Sequence, residues 1–128
     1  MKFERFEDIE AWKKARELAN EIFQLTLEEL FIKDFELKNQ IRAASGSVMD
    51  NIAEGFERNG KAEFVNFLSI AKGSCGEVRS QLYRALDRKY VQEDKFDFLK
   101  GRSIEVSKMI GGLMNYLKQS PLKGSKFK

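Results

Sequence analysis

The chain has 128 residues and a mass of 14.8 kDa, the length of one domain, with 42% hydrophobic and 34% charged residues, which excludes a membrane span and wholesale disorder. It has no histidine and one cysteine, excluding imidazole bases, Ser–His and Cys–His nucleophile pairs, most transition-metal sites and an intrachain disulfide. The net charge of +3 is uneven: four of the 23 basic side chains (Lys118, Lys123, Lys126, Lys128) and none of the 20 acids lie after Leu117, so residues 1–117 are close to neutral.

Met1 to Asp8 carries acids where a signal peptide would need an apolar stretch, and the uncharged run between Lys108 and Lys118 is shorter than the roughly 20 residues a bilayer requires. A cytoplasmic protein with no membrane partner is expected. The first amphipathic segment runs from about Asp8 to Leu27, with Ile9, Trp12, Ala15, Ala19, Ile22, Phe23 and Thr26 at helical steps. Asp8 is its expected cap, and Glu10/Lys14 and Lys13/Glu17 its expected i,i+4 pairs. The second starts at Asp34, a natural N-cap, and carries Leu37, Ile41, Ala44, Val48 and Ile52 before Gly55, read as a stop or bend.

The third begins around Asn59-Gly60 and aligns Phe64, Phe67, Leu68, Ala71, Cys75, Val78, Leu82 and Ala85. The fourth aligns Phe96, Leu99, Ser103, Val106, Ile110, Leu113 and Leu117, with the only proline, Pro121, just beyond. Strand alternation and hairpin turn signals are missing. The pattern predicts an all-α fold, an antiparallel up-down four-helix bundle over residues 1–117, followed by a basic tail over 118–128. Trp12 and most phenylalanines are read as core, and Cys75 as an inert buried thiol.

Two helices carry more than a core stripe. On the second, Gln40, Ser47, Asn51, Glu54 and Arg58 line up beside the apolar face, with small Ala43, Gly46 and Ala53 on the far side. On the third, Ile70, Ser74, Glu77 and Gln81 form a strip opposite the main stripe. A monomeric bundle buries one face per helix, so these further faces predict self-association.

The run Gln40-Ile41-Arg42-Ala43-Ala44-Ser45-Gly46-Ser47-Val48-Met49-Asp50-Asn51-Ile52-Ala53-Glu54-Gly55 resembles the signature of the four-helix-bundle proteins encoded in 23S ribosomal RNA intervening sequences, also called S23 ribosomal proteins. Phe6-x-x-Ile9-x-x-Trp12-x-x-Ala15-x-x-Leu18 resembles that family's opening helix, and Phe67-Leu68-Ser69-Ile70-Ala71-Lys72-Gly73-Ser74 with Glu77 and Gln81 its third. The resemblance implies a bundle that assembles into a ring-like homo-oligomer, a pentamer, with neither enzymatic activity nor cofactor. Relatives of similar fold, the accessory proteins of diversity-generating retroelements, bind nucleic acid and associate with a reverse transcriptase. Two positions depart from the pattern: Met49 stands where the family often has proline, and Gly76 interrupts the Gly-Ser-Leu-x-Glu-Leu pattern.

The polar residues admit two chemistries. Glu54 and Glu77 could act as paired carboxylates, or hold Mg²⁺ together with Asn51 and Ser74. The preferred reading is structural: Gln40, Ser47, Asn51, Glu54, Arg58, Ser74, Glu77 and Gln81 hydrogen-bond between helices or subunits and set register. For nucleic acid, RNA or DNA, the candidates are Arg84, Arg88 and Lys89, the densest local basic group, and the tail residues Lys118, Lys123, Lys126 and Lys128. RNP, KH and zinc-knuckle patterns are missing and exposed aromatics interleaved with basic residues are not evident, so binding is expected to be led by phosphate contacts. An oligomeric nucleic-acid-binding accessory protein, in a ribonucleoprotein or beside a reverse transcriptase, is the expected function. The alternative is a protein-interaction scaffold.

Overall fold

A computed structural model describes residues 3–120, in which the regular structure is entirely helical. Four long helices follow in order: α1 (Glu10–Thr26), α2 (Phe35–Glu57), α3 (Lys61–Asp87) and α4 (Glu93–Gln119), with short 3₁₀ turns at Phe6–Asp8 and Phe31–Lys33. Helix α1 packs on α2 and α4, α2 on α3, and α3 on α4, around one apolar core.

The stripes of α2, α3 and α4 are buried as their spacing predicts, except for Phe67 of α3, which is half-buried. All seven expected α4 positions, from Phe96 to Leu117, face the core. Helix α1 keeps Ala15, Ile22 and Thr26 of its expected stripe in the core, with Ile9 just before it, but not Trp12, Ala19 or Phe23. It buries Ala11, Ala15, Leu18, Ile22, Leu25 and Thr26, leaving Trp12 half-buried and Phe23 exposed. Leu18 and Leu25 fill the core in their place, and a residue next to Ile22 lies about 100° away around the helix. Asp8 does not cap α1. Its carboxylate accepts from the Glu4 and Arg5 N–H groups at 3.1 and 3.3 Å, and Ile9 occupies the N-cap without a side-chain bond. The expected i,i+4 pairs of α1 form instead one residue closer, as Lys13–Glu10 and Lys14–Glu17 at 3.4 and 3.7 Å.

Asp34 caps α2 and does more. Its Oδ1 accepts from the Leu37 N–H at 3.1 Å, while Oδ2 accepts from Arg88 at 2.7 Å and from the Tyr90 hydroxyl at 2.8 Å. The start of α2 is thereby tied to the end of α3, where the Phe31 and Tyr90 rings stack at 5.0 Å. The Leu37 N–H and then the Tyr90 hydroxyl hold the Asp34 carboxyl below the usual aspartate range; burial opposes them, and Arg88 adds to the lowering.

Gly55 does not stop α2, which continues to Glu57. It marks a close approach to α3: a Cβ at Gly55 would lie 2.6 Å from the Phe67 Cβ and 3.1 Å from Phe64. Beyond α2 the chain turns through Asn59, at φ 66°. Helix α3 ends in a Schellman arrangement, with the Tyr90 N–H donating to Ala85 and the Lys89 N–H to Leu86. Lys89 takes the left-handed position, φ 64°, usually filled by glycine.

Candidate functional site

The polar residues of α2 and α3 meet along one seam. Asn51 Nδ2 donates to both the carbonyl and the Oγ of Ser47 at 2.8 Å, and Ser74 Oγ donates to Ser47 Oγ at 3.1 Å. Toward the α3 C-terminus, Arg84 donates to Gln40 Oε1 at 2.9 Å and lies 3.8 Å from Glu36. At the other end Arg58 pairs with Glu54 at 2.9 Å, approaches Glu63 at 3.9 Å and covers the Phe67 ring at 5.0 Å. Ser74 does not lie opposite the core stripe. It is buried, because its hydroxyl points into the seam against Ser47.

Between these contacts runs an open groove lined by Gln40, Ala43, Ala44, Ser47 and Glu77. Gln81, one turn beyond Glu77, buries an Oε1 that has no hydrogen-bond partner among the described residues. Glu54 and Glu77 are not a carboxylate pair. Ser47 faces Ser74 and Gly55 faces Phe67, so Glu77 sits nine or ten residues along α3 from the level of Glu54, roughly 14 Å away. Among the described residues no group of three metal-ligating side chains comes together. Burial pushes the Cys75 thiol up to about 11, which keeps it protonated and unreactive.

The two basic groups do not converge. Arg84 and Arg88 lie beside the α1–α2 connection and contact Glu36 and Asp34, while Lys89 is exposed. Lys118 is in the last turn of α4 at the opposite end, where Lys61 Nζ donates to the Ser120 carbonyl at 2.6 Å. The length of α3 separates the groups by about 40 Å. Lys123, Lys126 and Lys128 lie outside the described residues.

Exposed aromatics beside basic groups, not evident in the sequence, are present in the fold. Phe35 is 68% exposed with the Lys38 ammonium 4.4 Å from its ring centre, and Phe23 is 43% exposed with the Arg42 guanidinium at 4.4 Å. Arg16 lies 5.9 Å from the Trp12 ring, and on α4 Lys95 and Arg102 approach exposed Phe98 at 5.4 and 5.3 Å. Arg102 also bridges to Glu17 and Glu21 of α1 at 3.1 Å each. The local pairs, Phe35 with Lys38 and Trp12 with Arg16, stand three and four residues apart and were findable by pairing aromatic and basic residues off the core stripe. Phe23 with Arg42 spans two helices and has no local signature.

No helix among the described residues is long and apolar enough to cross a membrane. A family model described as 23S rRNA-intervening sequence protein matches residues 7–112. Among solved structures, the chain is similar to a protein of unknown function from the S23 ribosomal protein family of Bacteroides thetaiotaomicron. The two share 23% identity and a TM-score of 0.75, over 81% of this chain and 97% of that one. No curated protein matches.

Proposed function

The chain belongs to the 23S rRNA-intervening sequence protein family, and from that premise we propose that it is a non-enzymatic, self-assembling accessory protein that binds nucleic acid through phosphate contacts. It works in a ribonucleoprotein or beside a reverse transcriptase, as an antiparallel up-down bundle whose copies form a ring, a pentamer. The observation that carries the nucleic-acid role is the segregation of charge. The basic excess leaves from one end of α4, beginning at exposed Lys118, and continues through Lys123, Lys126 and Lys128 without an acid. A ring gathers these lysines, so a weak site per copy becomes multivalent. Arg84 and Arg88, each engaged by a carboxylate, are assigned to holding α2 against α3. Self-assembly is supported by the open α2–α3 groove, whose small residues Ala43, Ala44 and Ser47 leave room for close approach by a second copy.

The test is anisotropy of a labelled RNA hairpin and a DNA duplex titrated with the protein across a salt series, with light scattering for the assembly mass. Affinity is expected to fall log-linearly with salt, by counterion release. Removing residues 121–128, which leaves α4 whole, is expected to weaken binding and flatten the salt slope. Unchanged affinity overturns the tail's role, and no binding at low salt leaves a protein-interaction scaffold.

A further inference from the structure

We propose that the seam between α1 and α2 is a track for single-stranded nucleic acid, with bases stacking on Phe35 and Phe23 and phosphates held by Lys38, Arg42 and Arg16. It rests on the nucleic-acid reading above and adds a second surface, a strand type and the side chains that select it.

Charge on this seam is predominantly basic, with Glu17 the one acid in the pocket beside Trp12 and Arg16. Projected at about 100° per residue, Phe35, Lys38 and Arg42 fall within about 60° of the α2 circumference, and Glu36, Asp50 and Glu57 fall outside it. On α1, Trp12, Arg16 and Phe23 share about 40°, while Glu10, Glu17 and Glu21 lie 100° or more away. Glu21 is turned to α4, where it meets Arg102, and Glu17, which shares a surface pocket with Trp12 and Arg16, is itself paired with Arg102 and Lys14. Glu28 and Glu29 face the α3–α4 turn beside Lys89 and Tyr90. Arg16, Lys38 and Arg42 form no ion pair among the described residues. Their charge is therefore available to phosphate.

Stacking surface lies beside that charge. Phe35 and Phe23 stay 68% and 43% exposed, each with a cation against its ring at 4.4 Å. A base can occupy the free face of the Phe35 ring, and the Arg42 guanidinium, fixed by its 2.8 Å bond to Thr26 Oγ1, offers a second flat surface over Phe23. Every base has a π-face, so this recognition is indifferent to sequence and selective for unpaired strands, whose bases are free to stack. Trp12 to Phe23 spans about 16 Å and Arg42 to Phe35 about 10 Å, together enough for roughly seven or eight stacked nucleotides. The unneutralised cations favour a polyanion over a protein partner.

The test uses the full chain with a fluorescein-labelled dodecauridylate and, separately, a DNA duplex, read by anisotropy and by emission of the single tryptophan, Trp12. Phe35→Ala and Phe23→Ala are each expected to weaken single-strand binding about fivefold or more. Duplex affinity and assembly mass should stay unchanged, Phe35→Trp should restore single-strand binding, and the oligonucleotide should quench Trp12. If both alanine variants bind single strand and duplex as the parent does, the track is overturned and the nucleic-acid reading stands. If the parent binds neither ligand, both fall. If the variants change the mass of the assembly, the seam joins copies of the chain and the proposal is wrong.

Discussion

Replacing Gly55 by alanine sets two effects against each other. Alanine gains about 1 kcal/mol of helix propensity over glycine. The added methyl would stand 2.6 Å from the Phe67 Cβ, whereas carbon atoms rest at about 3.5–4.0 Å. Phe67 Cβ is fixed to its backbone and cannot rotate away, so α2 and α3 must part by about 1 Å. Overpacking costs typically 1–3 kcal/mol, and a contact between two backbone-anchored atoms belongs at the upper end. The net loss is about 2 kcal/mol. With an unfolding entropy of about 2.1 cal/mol/K per residue over this chain, the melting temperature should fall by about 7 °C. Circular-dichroism melts at matched protein concentration measure it, since assembly makes the midpoint concentration-dependent. Gly76→Ala is the control: a Cβ there meets nothing within 4 Å, and propensity alone should stabilise by up to about 1 kcal/mol. If Gly55→Ala melts at or above the parent temperature, the close approach does not constrain the helices and the reasoning fails.

Three further predictions follow from other contacts. The Asp34 carboxyl is held below its ordinary range, so its ionised form stabilises the fold above about pH 4 and that stability is lost as pH falls through the folded value. Asp34→Asn keeps a competent cap and should flatten the acid limb of the melting profile; a parallel limb contradicts the assignment. Lys89→Gly removes a left-handed lysine at φ 64° and should stabilise by about 1 kcal/mol in a denaturant titration, whereas destabilisation would mean the lysine side chain holds the turn. Gln81→Met removes a buried oxygen with no hydrogen-bond partner among the described residues. Its removal should stabilise the fold by about 1–3 kcal/mol in a denaturant titration with the assembly mass unchanged; destabilisation would mean that the oxygen is satisfied.

Much of this protein lies in local pattern. The stripes of α2, α3 and α4 and the Asp34 cap are decided within a few residues, because helical periodicity and N–H capping act over one turn. The signature along α2 and α3 is likewise contiguous, and it names the family. What the tertiary structure decided depends on partners far apart in the chain. Phe23 reaches solvent because Leu18 and Leu25 satisfy the core, and only the packing of α1 on α2 brings Arg42 over its ring. Gly55 reads as a stop until Phe67 of the next helix is seen to fill the space of its missing side chain. Arg84 and Arg88 look like one end of a basic site until the fold sets Glu36 and Asp34 against them and places Lys118 at the other end of α3. Single-residue periodicity specifies which side of a helix is apolar. Which helix covers that side, and which charges it brings, is settled only when the four helices pack.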